Sequence, residues 1–158
     1  MRRRLPTLDV SVLGTYDGAL RRAILALKSG RRDVAEAFAE RLRSQIPPGV
    51  VVVPVPTTAA RRRRRGFDGC ELIARIAFGP CVVAGLTQIR GETQRGRGRE
   101  GRLKHRQRFV WRSGPLSGAR VVLLDDVVTT GATLEACAQT VRAAGSVTRH
   151  AIVIATVP

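Results

Sequence analysis

The chain is short of cysteine, histidine, aromatic residues and acid, and each shortage removes a class of protein. Cys70, Cys81 and Cys137 include no Cys-x-x-Cys pair, so neither a zinc ribbon nor a disulfide framework is encoded, and core thiols are the expectation. His105 and His150 stand in unrelated contexts, which leaves a histidine-based metal site without support. Aromatics are 4% of the chain, and only Phe109 and Trp111 lie near the basic region, so a base-stacking platform is weakly supported. No apolar stretch reaches the roughly 20 residues of a membrane helix. The start, Met1-Arg2-Arg3-Arg4-Leu5-Pro6, lacks the apolar segment of a signal peptide. No membrane span and a cytoplasmic location are therefore expected.

Acidic residues number 12 against 28 Lys and Arg, giving a net charge of +16 and a field that draws polyanions. The excess is clustered. Arg61, Arg62, Arg63, Arg64 and Arg65 are consecutive, and Arg95, Arg97, Arg99 and Arg102 alternate with glycines. A solvated charge face is the usual reading of such runs; a clamp for pyrophosphate, or a track for nucleic-acid backbone, is the functional one.

At 158 residues the chain suits one domain, 1–158, with a core of Val, Leu, Ile and Ala. Apolar spacing predicts helices over 16–28 and 33–45, a strand over 50–53 and a helix over 71–77. Strands over 81–86 and 121–124, a helix over 134–144 closed by Gly145, and a strand over 148–156 follow. Residues 1–15 read as an N-terminal extension and 87–107 as a flexible basic loop, long enough to serve as a lid. The alternation predicts an α/β fold, with a mostly parallel central sheet flanked by helices.

The most informative segment is VVLLDDVVTTGAT, residues 121–133. An apolar strand leads to Asp125 and Asp126, and then to Thr129, Thr130, Gly131, Ala132 and Thr133 ahead of a helix. In open α/β sheets, ligands bind at the carboxyl ends of strands. The first helical turn offers unpaired N–H groups and the positive end of the dipole to a phosphate, with threonine hydroxyls beside them. Gly131 permits close approach and positive φ. The carboxylates accept from sugar hydroxyls and can help hold Mg²⁺, directly or through water. A ribose 5-phosphate satisfies both halves; an ordinary strand-to-helix turn with a capping threonine is the plainer alternative.

This run resembles the 5-phosphoribosyl-1-pyrophosphate (PRPP) loop of type I phosphoribosyltransferases. With Tyr16-Asp17-Gly18, Ile24 and Lys28, then Val53-Pro54-Val55-Pro56, RRRGFDGCEL at 63–72, Thr93-Gln94 and Phe109, the chain as a whole resembles the ComF family, associated with natural competence and DNA uptake. The resemblance implies the type I phosphoribosyltransferase fold, with a reduced hood; many members begin with a four-cysteine zinc module, and its absence here is expected to be a departure from them. Where the family usually has RGFNQ, this chain reads Arg65-Gly66-Phe67-Asp68-Gly69.

The implied activity is transfer of a phosphoribosyl group from PRPP to an unidentified nitrogen nucleophile, releasing pyrophosphate. Asp125 and Asp126 would be catalytic and would hold Mg²⁺, and residues 129–133 would take the 5-phosphate. Val55, Pro56, Thr57 and Arg65 would take pyrophosphate. The family's pyrophosphate loop often carries an unusual peptide bond, and an X-Pro bond tolerates cis. Because prolines lack an N–H, anion contacts there fall to Thr57, Thr58 or the arginines beyond. A homodimer is also implied. The alternative function is a non-catalytic accessory binding single-stranded DNA through Arg61, Arg62, Arg63, Arg64, Arg95, Arg97, Arg99 and Arg102.

Overall fold

The computed structural model describes residues 1–89 and 108–157. In chain order these form β1 (Arg2–Arg4), β2 (Asp9–Thr15), α1 (Gly18–Lys28), α2 (Asp33–Arg43), β3 (Val51–Pro54), α3 (Ala59–Arg65) and α4 (Gly69–Phe78). They continue with β4 (Leu86–Ile89), β5 (Arg108–Trp111), β6 (Arg120–Val128), α5 (Ala132–Ala143) and β7 (Val147–Thr156).

Side chains alternate across a strand, so a strand apolar at every position must be covered on both faces. In β6, Val122 and Leu124 face one core with Ile24, Leu27, Phe38, Leu42 and Ile73 from α1, α2 and α4. Val121 and Leu123 face the other, with Leu134, Cys137, Ala138 and Val141 of α5. β7 divides likewise, Ile152 and Ile154 to the first core and Ala151 and Val153 to the second. Leu123 is fully buried, and truncating such a residue to Ala costs about 2–5 kcal/mol.

The main sheet has the order β1-β2-β7-β6-β3, with β1 antiparallel to β2 and the remaining pairs parallel. The architecture is thus α/β, a mixed sheet with helices on both faces. From β3 the chain passes through α3 and α4 to Val82, which bridges Val52 at the outer edge. From β6 it passes through α5, on the opposite face, inward to β7. Connections leaving neighbouring strands in opposite directions open a crevice at their carboxyl ends. That crevice lies between β3 and β6.

Several local expectations change. Residues 1–15, expected ahead of the core, supply two strands of the sheet; β2 lies beside β7 with Val10 and Val12 buried. The strand expected over 81–86 is absent: Gly79-Pro80-Cys81 makes a 3₁₀ turn, Val82 makes an isolated bridge, and pairing resumes at Leu86. Pro80 cannot donate to a ladder, and the resumed strand pairs with β5 in a separate hairpin. Thr87, Gln88 and Ile89 thus belong to β4, while 90–107 of the expected loop, with Arg95, Arg97, Arg99 and Arg102, lie outside the described residues. The strand expected over 121–124 continues through both aspartates to Val128. Cys70 and Cys137 are buried as expected, whereas Cys81 is exposed.

Gly131 has φ 86° at the start of α5, and a Cβ there would lie 2.5 Å from Leu5 Cδ2. An L-residue in this conformation carries strain of roughly 1–2 kcal/mol before any collision. Gly131→Ala should lower unfolding free energy by at least about 1–2 kcal/mol in urea titration. Adding Leu5→Ala should relieve only the steric part, so the coupling between the two changes should be favourable and smaller than the loss. Strict additivity would show that Leu5 does not press on this turn.

Candidate functional site

Pairing between β3 and β6 stops at Pro54 and Leu124, with one further bond from Val55 N–H to the Leu124 carbonyl (2.8 Å). On its other side β6 stays paired to β7 as far as Val128 and Thr156. The carboxyl end of β6 is consequently open towards the loop that follows β3. Asp125 and Asp126 occupy the opened stretch, and Val55-Pro56-Thr57-Thr58 forms the facing wall.

A cleft of about 190 Å³ lies between them. It brings together Val55, Pro56, Thr57, Arg65, Asp125, Asp126 and Thr133, contributed by three separate parts of the sequence. Thr129, Thr130, Gly131 and Ala132 do not line it. They form the turn into α5, where Gly131 is buried, the other three are exposed, and the Ala132 N–H donates to Thr130 Oγ1 (3.3 Å). No cis peptide bond occurs among the described residues, so Pro54 and Pro56 follow trans bonds.

Residues absent from the sequence-based site also line the cleft, among them Lys28, Asp68, Cys70, Gln88 and Phe109. Lys28, at the last position of α1, places Nζ 2.7 Å from Asp126 Oδ2, with both side chains largely buried. Asp68 caps α4, its Oδ1 accepting from the N–H groups of Cys70 (3.0 Å) and Glu71 (3.2 Å). Asp68 Oδ2 accepts from the Thr57 N–H at 2.6 Å. The signal for this cap was the Asp68-x-x-Glu71 spacing. Glu71 does not return the bond; its carboxylate pairs with Arg75 and Arg62. Lys28 had no local signal, since its partner is remote in sequence.

The electrostatics divide the cleft. Asp125 is buried, accepts from its neighbour's N–H (2.8 Å) and lies 3.9 Å from the Cys70 thiol. Burial first, and the Asp126 charge second, push its carboxyl up to about 8. Cys70 is driven far above the ordinary thiol range by burial and then by Asp126 and Asp125, so it stays a protonated thiol without nucleophilic character. Burial also raises Asp68, against the lowering effect of its three N–H partners. The positive side comprises Lys28, Arg61 and Arg65. Arg65 Nε is buried with no hydrogen-bond partner among the described residues.

The sulfur of Cys70 and carboxylate oxygens of Asp125 and Asp126 lie within 4.8 Å of one another. Hard cations such as Mg²⁺ prefer oxygen, so the two carboxylates are the usable donors and the protonated thiol is a neighbour. The remainder of an octahedral shell would have to come from water and a ligand's oxygens. Arg61, Arg62, Arg63 and Arg64 occupy a single short helix and are all exposed.

Between about pH 4 and 8 the folded chain holds a proton on Asp125 that the unfolded chain, with a carboxyl near its usual value of about 3.9, has released. This group's contribution is fully present below pH 4 and drains away as pH rises to 8. Asp125→Asn should therefore raise Tm in metal-free buffer by an amount that grows from pH 4.5 to 8 and levels off above, at about 2–4 °C per kcal/mol for a chain of this size. A pH-independent difference in Tm would show that Asp125 is not held protonated.

No family model matches the chain. Over 89 residues it is 32% identical to "Competence protein ComFC" of Bacillus subtilis (strain 168). The match takes in 56% of this chain and 37% of that protein, so the chain spans well under half the length of the relative. No helix among the described residues is long and apolar enough to cross a membrane. The likeness supports a distant relationship to the ComF family, in agreement with the motifs quoted above.

Proposed function

We propose that this protein has the type I phosphoribosyltransferase fold and binds PRPP with Mg²⁺, transferring its phosphoribosyl group to a nitrogen nucleophile. The observation that carries this reading is the meeting, in one crevice, of a strand-end acid pair and the arginines of a short helix, beside a threonine-rich helix start. PRPP has matching parts: ribose hydroxyls, a pyrophosphate at C1 and a phosphate at C5.

The ribose 2- and 3-hydroxyls would meet Asp125 and Asp126, and the 5-phosphate would lie against the turn 129–133. Pyrophosphate would lie towards Arg65, Arg61 and the hydroxyls of Thr57 and Thr58. The bond from C1 to the pyrophosphate oxygen breaks as the bond from C1 to nitrogen forms, and the electron pair leaves with pyrophosphate. Positive charge then develops on the sugar, and the acid pair beside it, with Asp125 ionised, would favour that state. Arginine guanidiniums stabilise the charge gathering on the leaving group, their paired N–H groups matching phosphate oxygens. Mg²⁺, when bound at Asp125 and Asp126, neutralises part of the pyrophosphate charge. Lys28 keeps Asp126 paired before the ligand arrives and lies where it can turn to an anionic oxygen.

A second reading has its own support in four consecutive exposed arginines and in the likeness to a competence protein. In this reading the protein is an accessory of DNA uptake that tracks single-stranded DNA. Titration calorimetry with PRPP, with and without Mg²⁺ and with pyrophosphate as control, separates the two. Asp125→Asn with Asp126→Asn should reduce PRPP affinity by at least about 100-fold, from two lost hydrogen bonds to charged groups worth about 1.5–3 kcal/mol each, and leave single-stranded DNA binding unchanged or tighter. Arg62→Ser, Arg63→Ser and Arg64→Ser together, which leave Arg61 and Arg65 at the cleft, should do the reverse, lowering the salt dependence of DNA binding. PRPP binding no tighter than pyrophosphate, and lost at moderate salt, would leave only anion collection by arginines.

A further inference from the structure

The loop after β3 has an unusual shortage of backbone donors. Pro54 and Pro56 have no N–H, and the N–H of Val55 is used by the Leu124 carbonyl. The Thr57 N–H is used by Asp68 Oδ2 at 2.6 Å. The other oxygen of Asp68 takes the N–H groups of Cys70 and Glu71 in the first turn of α4. One carboxylate, 5% exposed, therefore joins two segments that wall the cleft, taking one backbone donor of the first and two of the second. The side chains that line the cleft on this side include Thr57, Arg61, and Arg65 with its buried unpartnered Nε.

We propose that Asp68 is a positioning residue: by tying the Thr57 backbone to the start of α4 it takes up the Thr57 N–H and fixes the loop, so that the side chains of Thr57, Arg61 and Arg65 are held where they bind a diphosphate. This rests on the reading of the cleft as a PRPP site. Asp68 acts through Thr57 and needs no contact with the ligand. The position is one where this chain departs from the family's amide. An amide cannot do both jobs, because it has one acceptor: if its oxygen caps α4, its NH₂ meets the Thr57 N–H donor to donor.

That asymmetry supplies the test. Asp68→Asn keeps a capping oxygen and loses the tether; Asp68→Ser also caps well but is too short to reach Thr57, and serves if the amide variant folds poorly. Thr57 amide hydrogen exchange should accelerate at least about 10-fold in either variant while Tm stays within a few degrees. Affinity for PRPP and for inorganic pyrophosphate should fall about 10-fold, while ribose 5-phosphate binding changes less than about 3-fold. Unchanged Thr57 protection overturns the tether. Faster exchange with undiminished PRPP and pyrophosphate affinity overturns the positioning role. Wild-type protein that binds no PRPP overturns the reading on which the proposal rests, an outcome visible before any variant is made.

Discussion

The site depends on a mismatch of length between two neighbouring strands. β3 stops pairing at Pro54, whereas β6 runs four residues beyond Leu124 with β7 as its only strand partner among the described residues. A ladder needs an N–H from each strand, and the loop after β3 brings two prolines instead. Had β3 continued, its backbone would have filled the space that the cleft occupies. The extension of β6 survives because β7 pairs with it and because α1 and α4 cover one of its faces. A rigid strand, not a loose loop, thus carries both carboxylates, which fixes their positions far better than a loop would.

Burial gives those carboxylates opposite characters. Asp126 is paired with Lys28 at 2.7 Å, while burial first, and the charge of Asp126 second, push Asp125 towards its protonated form. A protonated acid and a paired carboxylate together present both a donor and an acceptor to a pair of adjacent hydroxyls. The arrangement weakens the fold as pH rises, since charging Asp125 means placing a second negative group beside Asp126 without a cation of its own. A bound cation, or the approach of a cationic sugar, removes that penalty. Strain of this sort is common at sites that work on a ligand.

Much of this was legible in the chain. The apolar run over 121–124, the acid pair and the glycine at 131 placed a strand, its end and the start of a helix within a few residues, because each rests on local backbone preference. Less visible was β2, whose Val10 and Val12 alternate with Asp9 and Ser11 over a span too short to stand out beside the charged start. The 81–86 segment misled because an apolar run says nothing about whether a partner strand lies alongside; Pro80 and Gly85 break the register there. Of the site, the parts adjacent in sequence were readable, while Lys28 was not. It meets Asp126 only because α1 packs across the end of β6, and no spacing rule spans that distance.

The sign of the charge is also resolved by place. A net charge of +16 would draw any polyanion, yet the floor of the cleft is acidic, with Asp68, Asp125 and Asp126 all lining it. Long-range attraction and local recognition therefore ask for different things: a polyanion to approach, and a neutral or cationic group with hydroxyls to enter. A uniform polymer of phosphates satisfies the first demand at the exposed arginines of α3 but not the second. A ligand that is phosphate at its ends and polyhydroxylic between them satisfies both, with each end directed to the side of the cleft that bears the complementary charge.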